Sequence, residues 1–223
     1  MRKLLATTWV AFALLGCGSA SEPETGITVE PVVVSPDVVS LTLPAISEQL
    51  ARGTLSSVDL VQAYLDRIAV IDRAGPTLNA IISINDQALI RATESDARRA
   101  LGQALSPLDG VPVLLKDNIE SKEPLATTAG STALLDNVTG RDSPLVAALR
   151  DSGAIILGKT NLSQWANFRS SHSVSGWSSV GGLVKNPHVL DRQACGSSSG
   201  SAAAAAASLA AATVGTETNG SII

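Results

Sequence analysis

The chain has 223 residues, of which 45% are hydrophobic, 16% charged and 3% aromatic. That length holds one large domain or two small ones, and the apolar content is too high for wholesale disorder. Two cysteines, two histidines and a formal net charge of −4 exclude a disulfide-dense scaffold and a four-cysteine zinc site, leave little for a histidine-based metal centre, and argue against a nucleic-acid partner.

Met1-Arg2-Lys3 is a short basic start, and Leu4 to Leu15 is an almost wholly apolar run. The run is too short to span a bilayer comfortably and has the basic-then-apolar order of an export signal. It ends in Leu14-Leu15-Gly16-Cys17, which resembles the bacterial lipobox, where cleavage leaves the cysteine first and lipid is attached to its sulfur. The expectation is a signal peptide over 1–16 and a lipid on Cys17 that anchors the protein to membrane without a transmembrane helix. Gly18 follows the cysteine and no aspartate stands there to suggest inner-membrane retention. This places the protein in the bacterial cell envelope, on the periplasmic face of the outer membrane. A plain secretory signal with an accidental cysteine is the alternative. Residues 17–43, with Pro23, Pro31 and Pro36, read as a tether. Val32-Val33-Val34 could pair there as a short edge strand. With Cys17 consumed by lipid, Cys195 has no disulfide partner.

Ile46 to Arg52 reads as a short helix stopped by Gly53. Ser56 is a good N-cap with Asp59 three residues on, and Val58, Val61, Leu65 and Ile68 recur at helical spacing, so a helix is expected from Ser57 to about Asp72. Ala80 to Ile84 reads as a strand, and Asp86 to about Leu101 as a surface helix. Asp109-Gly110 is a turn before the apolar run Val111 to Leu115, which ends at Lys116-Asp117-Asn118. Ser143-Pro144 is a cap and first-turn proline for a helix through Arg150, stopped by Gly153. Ala154 to Gly158 is a buried strand closed by Lys159-Thr160-Asn161. Alternating helices and continuous apolar strands predict an α/β fold: a mixed, mostly parallel sheet with helices on both faces. From Asn167 to Ser201 serine and glycine dominate and predict loop. Ala202 to Ala212 is then expected to be a buried helix of small side chains.

Cys195-Gly196-Ser197-Ser198-Ser199-Gly200-Ser201 precedes that helix. A glycine–serine turn before a helix could cradle an anion or serve as a hinge. It is not a P-loop, because no Lys-Ser/Thr follows the glycine. Three stretches in order are far more specific: Gly110 to Asn118, Cys195 to Ala203, and Gly215-Thr216-Glu217-Thr218-Asn219-Gly220-Ser221-Ile222. Together they resemble the amidase signature family of Ser–Ser–Lys amide hydrolases, with Gly158-Lys159-Thr160-Asn161-Leu162-Ser163 and Ser175-Gly176-Trp177-Ser178 as further landmarks. The match runs from about Leu43 to Ile223 and is closest in tone to exported bacterial, peptide-amidase-like members.

The resemblance implies Ser221 as nucleophile, Ser197 as the bridging serine behind a cis peptide bond at Gly196–Ser197, and Lys116 as base. Ser197 and Ser221 are 24 apart, the interval the family shows. A hydroxyl is a weak nucleophile and needs a proton acceptor; a lysine serves only when neutral, which burial favours. The backbone N–H groups of Thr218, Asn219, Gly220 and Ser221 are the candidate oxyanion hole. Ser198 and Asp117 are expected in supporting roles, Ser198 holding the loop by hydrogen bonds. Lys159, which also closes a buried strand, is the rival base. His172 and His188 read as loop residues, Cys195 as a buried small residue, and Trp177 as either cleft wall or core. Asn219 departs from the family's more usual aspartate or glycine.

The resemblance implies a small-molecule or peptide amide substrate, hydrolysis of a linear carboxamide, no metal and no cofactor. The alternatives are the glutaminase subunit of a tRNA-dependent amidotransferase and a catalytically inactive truncated lipoprotein. Family members are about twice this length, so residues 44–223 are expected to be an amidase signature domain incomplete at its C-terminus. An N-terminal piece of this kind is expected to be inactive alone.

Overall fold

The computed structural model describes residues 36–222 except 123 and 169. The signal-peptide, Cys17 and Val32–Val34 expectations lie outside the described residues. The expected tether overlaps them at 36–43, and here the folded body reaches further: Val38 is buried in the core and Leu41 and Leu43 pack against it.

Helix α1 (Leu43–Arg52) starts three residues earlier than its apolar spacing suggests, because Thr42 caps it and Pro44 sits in the first turn. It ends on Gly53 at φ 69°, whose N–H closes the last turn. Helix α2 (Ser57–Ile68) begins at the expected cap: Ser56 Oγ accepts the Asp59 N–H at 3.0 Å and donates back to the Asp59 carboxylate at 2.6 Å. A wider π-turn over Ala69–Arg73 replaces its last α-turn. Strand β1 (Ile81–Ile84), helix α3 (Ala88–Ala100), strand β2 (Pro112–Lys116), helix α4 (Pro144–Asp151) and strand β3 (Ile155–Thr160) follow in the expected order.

The segment expected to be loop carries four short strands, β4 (Trp177–Ser178), β5 (Gly182–Leu183), β6 (Lys185–Asn186) and β7 (Val189–Gln193), as two antiparallel pairs. The alanine run also departs from expectation. Helix α5 spans Ser199–Ala206, earlier and shorter than Ala202–Ala212, and Ala212 opens strand β8 (Ala212–Val214). Ser208 breaks the run at φ 54°, and β8 then pairs in parallel with Val113–Leu115. Alanine's helix propensity of a few tenths of a kcal/mol per residue yields to that strand pairing. Nor is α5 buried all round, for Ala202, Ala205 and Ala206 face solvent.

The main sheet has the order β1-β3-β2-β8, antiparallel only at β1/β3. Side chains alternate across it. Leu114, Ile155 and Leu157 face a core built with α1, α2, α3 and α5, whereas Val113, Leu115 and Ile156 face Val146 of α4, Ile119 and Leu125. Lys116 therefore emerges at the C-terminal end of β2 on the α5 side, and its neighbour Lys159, paired with Leu115, emerges on the α4 side. Gly200 lets α5 close on this end of the sheet: a Cβ there would collide with the Ala80 carbonyl and the Asn161 backbone.

Candidate active site

Lys116 is fully buried, with 0% of its surface exposed. Its Nζ donates to Ser197 Oγ at 2.8 Å, to Ser198 Oγ at 3.0 Å and to the Thr216 carbonyl at 3.0 Å. Ser197 Oγ in turn donates to Ser221 Oγ at 2.8 Å. Three segments distant in sequence, the end of β2, the entry to α5 and the turn after β8, thus meet in one hydrogen-bonded line.

The entry to α5 is held tightly. The Gly196–Ser197 peptide is cis. The Ser163 N–H donates to the Ser197 carbonyl at 3.1 Å, and the Gly176 N–H to Ser163 Oγ at 2.8 Å. Ser198 ties α5 to the next segment: its N–H donates to the Ser221 carbonyl, its Oγ donates to the Thr216 carbonyl and accepts the Thr216 N–H. Sequence alone assigns no role to Thr216, whose carbonyl and N–H are groups that nearly every residue has, and gives Ser163 only as the end of a family landmark, although its N–H and Oγ both brace the entry to α5.

Burial pushes the Lys116 ammonium down from 10.5 to about 8, while the nearby Glu217 carboxylate pulls the other way. Lys159 is also pushed down to about 8, by burial first and against the attraction of Asp117. The two lysines differ in what they touch. Lys159 donates to the Ile119 carbonyl at 2.6 Å and Thr127 Oγ1 at 2.9 Å, on the far side of the sheet from Ser221. Asp117 lies with it. The Asp117 carboxylate accepts the N–H groups of Thr128 and Gly130 and the Thr128 hydroxyl, and burial raises its pKa. Asp117 and Lys159 brace the loop that leaves β2.

The turn bearing Ser221 is exposed. Among the described residues the N–H groups of Thr218, Asn219 and Ser221 have no acceptor, whereas that of Gly220 donates to Glu217 Oε1 at 2.6 Å. Of the four expected donors, the Gly220 N–H is thus engaged by Glu217, a residue to which sequence alone assigns no role. A cavity of about 500 Å³ opens beside Ser221, lined among others by Ser175, Cys195, Ala202, Thr213 and Ile222. Cys195 is exposed there, not buried, because φ 57° turns the chain outward ahead of Gly196. His172 and His188 are exposed loop residues, and Trp177 is half-buried in β4.

The profile of the Amidase family matches residues 59–223. A probable amidase of Arabidopsis thaliana is 44% identical over 212 residues, 94% of this chain and 40% of its own length. A glutamyl-tRNA(Gln) amidotransferase subunit from Coxiella burnetii is 42% identical over 182 residues, covering 81% of this chain and 36% of that one. The crystal structure of native peptide amidase from Stenotrophomonas maltophilia superposes with a TM-score of 0.81 at 50% identity, over 83% of this chain and 38% of that chain. The chain thus spans about two fifths of the length of the relatives it matches. By profile, sequence and fold together, it belongs to the amidase signature family.

Proposed function

We propose that the protein hydrolyses a linear carboxamide, RCONH2, to RCOO− and ammonia through an acyl ester on Ser221, with small or peptide-like amides as substrates. The observation that carries this reading is the unbroken line Ser221–Ser197–Lys116, with 2.8 Å at each step. With Lys116 neutral, the two hydroxyl protons run toward it: Ser221 donates to Ser197, and Ser197 to the Nζ lone pair. As Ser221 Oγ attacks the carbonyl carbon, its proton moves to Ser197 and the proton of Ser197 moves to Lys116. The N–H groups of Thr218, Asn219 and Ser221 are placed to receive the oxyanion. Proton return by the same path to the amide nitrogen lets the C–N bond break and ammonia leave. Water then attacks the ester, giving up a proton to the relay, and Ser221 is regenerated.

Peptide-like substrates are favoured by the 50% identity to a peptide amidase. The glutaminase reading is favoured by the 42% identity to the amidotransferase subunit, and opposed by the export pattern of Leu4 to Cys17. Ammonia release from a C-terminally amidated peptide and from free glutamine, with wild type and Ser221→Ala, tests both. Release from the peptide amide that Ser221→Ala abolishes supports the proposal. Release from glutamine alone transfers the function to the second reading, and turnover by Ser221→Ala removes Ser221 from either.

Lipid attachment at Cys17 and a place on the cell envelope belong to the same proposal, supported by the sequence Leu14-Leu15-Gly16-Cys17. Mass spectrometry of the mature N-terminus decides it: acylated Cys17 is expected, and cleavage at another bond or an unmodified thiol overturns it.

A further inference from the structure

The turn between β8 and Ser221 is pinned at two points. At its start Thr216 is held by Lys116 and Ser198, and its Oγ1 exchanges hydrogen bonds with the Asn118 side chain at 2.9 and 3.2 Å. At its end the Glu217 carboxylate takes the Gly220 N–H at 2.6 Å. That is at the short end for N–H···O and is charge-assisted. Gly220 sits at φ +70°, in the left-handed region, immediately before the nucleophile. Between these points Thr218 and Asn219 are exposed, and their N–H groups have no acceptor among the described residues. A side-chain oxygen accepting an N–H three residues on does the work of the missing backbone carbonyl in a turn, as Asp and Asn do in shorter turns.

We propose that Glu217 is a positioning residue for the amidase reaction: its carboxylate fixes the Gly220 peptide, and through it sets Ser221 Oγ at hydrogen-bond distance from Ser197 and orients the N–H groups of Thr218, Asn219 and Ser221 toward the substrate carbonyl. The role rests on Ser221 being the nucleophile. Glu217 touches neither substrate nor the reacting atoms. Without it the short segment between Thr216 and Ser198's partner Ser221 is free to rotate about Gly220, the one residue in it with no Cβ. The opposite role, a plug that competes for an oxyanion donor, makes the opposite forecast, because its removal would speed the reaction.

Two variants separate charge from geometry. Glu217→Gln keeps an acceptor for Gly220, and Glu217→Ala removes it. For Glu217→Ala, kcat is expected to fall on the order of 10- to 100-fold with KM within about 3-fold, because a displacement near 1 Å at the nucleophile has that consequence. Glu217→Gln is expected to recover most of kcat. Its acid limb should move to lower pH, since the carboxylate that favours protonated Lys116 is gone while Ser197, Ser198 and Thr216, which also face Lys116, carry no charge. A second readout does not use activity. In 15N-glycine-labelled protein the hydrogen-bonded Gly220 amide proton should lie downfield, move upfield in Glu217→Ala, and stay near its wild-type position in Glu217→Gln. Wild-type turnover abolished by Ser221→Ala, together with Glu217→Ala as fast as wild type or faster, overturns the proposal. A wild type without turnover refutes the amidase reading instead, and the Gly220 resonance then decides the contact: an amide proton that Glu217→Ala leaves in place overturns it.

Discussion

If Lys116 is the base, its buried position fixes how the rate depends on pH. Its pKa of about 8, down from 10.5, leaves about 10% of it neutral at pH 7, against about 0.03% for an exposed lysine, a gain of roughly 300-fold in the competent form. Neutral Lys116 is lost as pH falls, so kcat/KM should be on its plateau above about pH 9 and drop about tenfold per unit below pH 7. Lys116→Met should remove nearly all turnover at every pH. Lys159 has a pKa near the same value and must be separated from it: Lys159→Met should lower the melting temperature and leave the midpoint of the limb in place. The assay is ammonia release from a primary amide between pH 5.5 and 10, with a melting curve at each pH to exclude unfolding. A profile flat from pH 6 to 9, or a limb that moves with Lys159→Met and survives Lys116→Met, would refute the reasoning.

If Ser221 is the nucleophile and Ser197 its proton relay, Ser221→Ala should fail to gain mass on treatment with a fluorophosphonate, whereas Ser197→Ala, which removes no acyl-bonding atom, should label slowly. Gly200→Ala should destabilise the fold by about 1–3 kcal/mol in denaturant titration, since the new methyl meets backbone of Ala80 and Asn161 that cannot move aside. Thr128→Val, which takes a hydroxyl donor from buried Asp117, should cost about 1–3 kcal/mol by the same measurement, with the pH midpoint of activity unchanged.

Local signals in the sequence proved readable where the physics is local. Ser56 with Asp59, Gly53, and Ser143 with Pro144 each satisfy or terminate a helix end within four residues, so cap and boundary could be named without the fold. The apolar runs at Val111 and Ala154 are buried on both faces and form adjacent parallel strands. What escaped depends on distant partners. Ala207 to Ala212 is helical by propensity, and only the free edge of β2 draws Ala212 into a strand. The hairpins at 177–193 are two to five residues per strand, too short for a period to show. At the site, Lys116, Ser197 and Ser221 stood out by side chain and by family resemblance. Thr216 contributes a carbonyl, which every residue has, and Cys195 faces out because of one backbone angle. Glu217 was within reach, since its contact spans only three residues.

The line from Lys116 to Ser221 joins residues 81 and 24 positions apart, and the Thr216 carbonyl reaches Lys116 across 100. In time, this makes the site a late product of folding. The α2–α3 layer and the β2/β3 pair can form from residues up to 160, whereas Ser221 meets Ser197 only once β8 has docked along β2, and contacts of such long range close slowly. A nascent chain emerging N-terminus first carries Lys116 for about a hundred residues before it carries Ser221. Until that last parallel pairing the chain holds Lys116 and Ser221 as unconnected side chains, so closure of the sheet and assembly of the hydrogen-bonded line are one event.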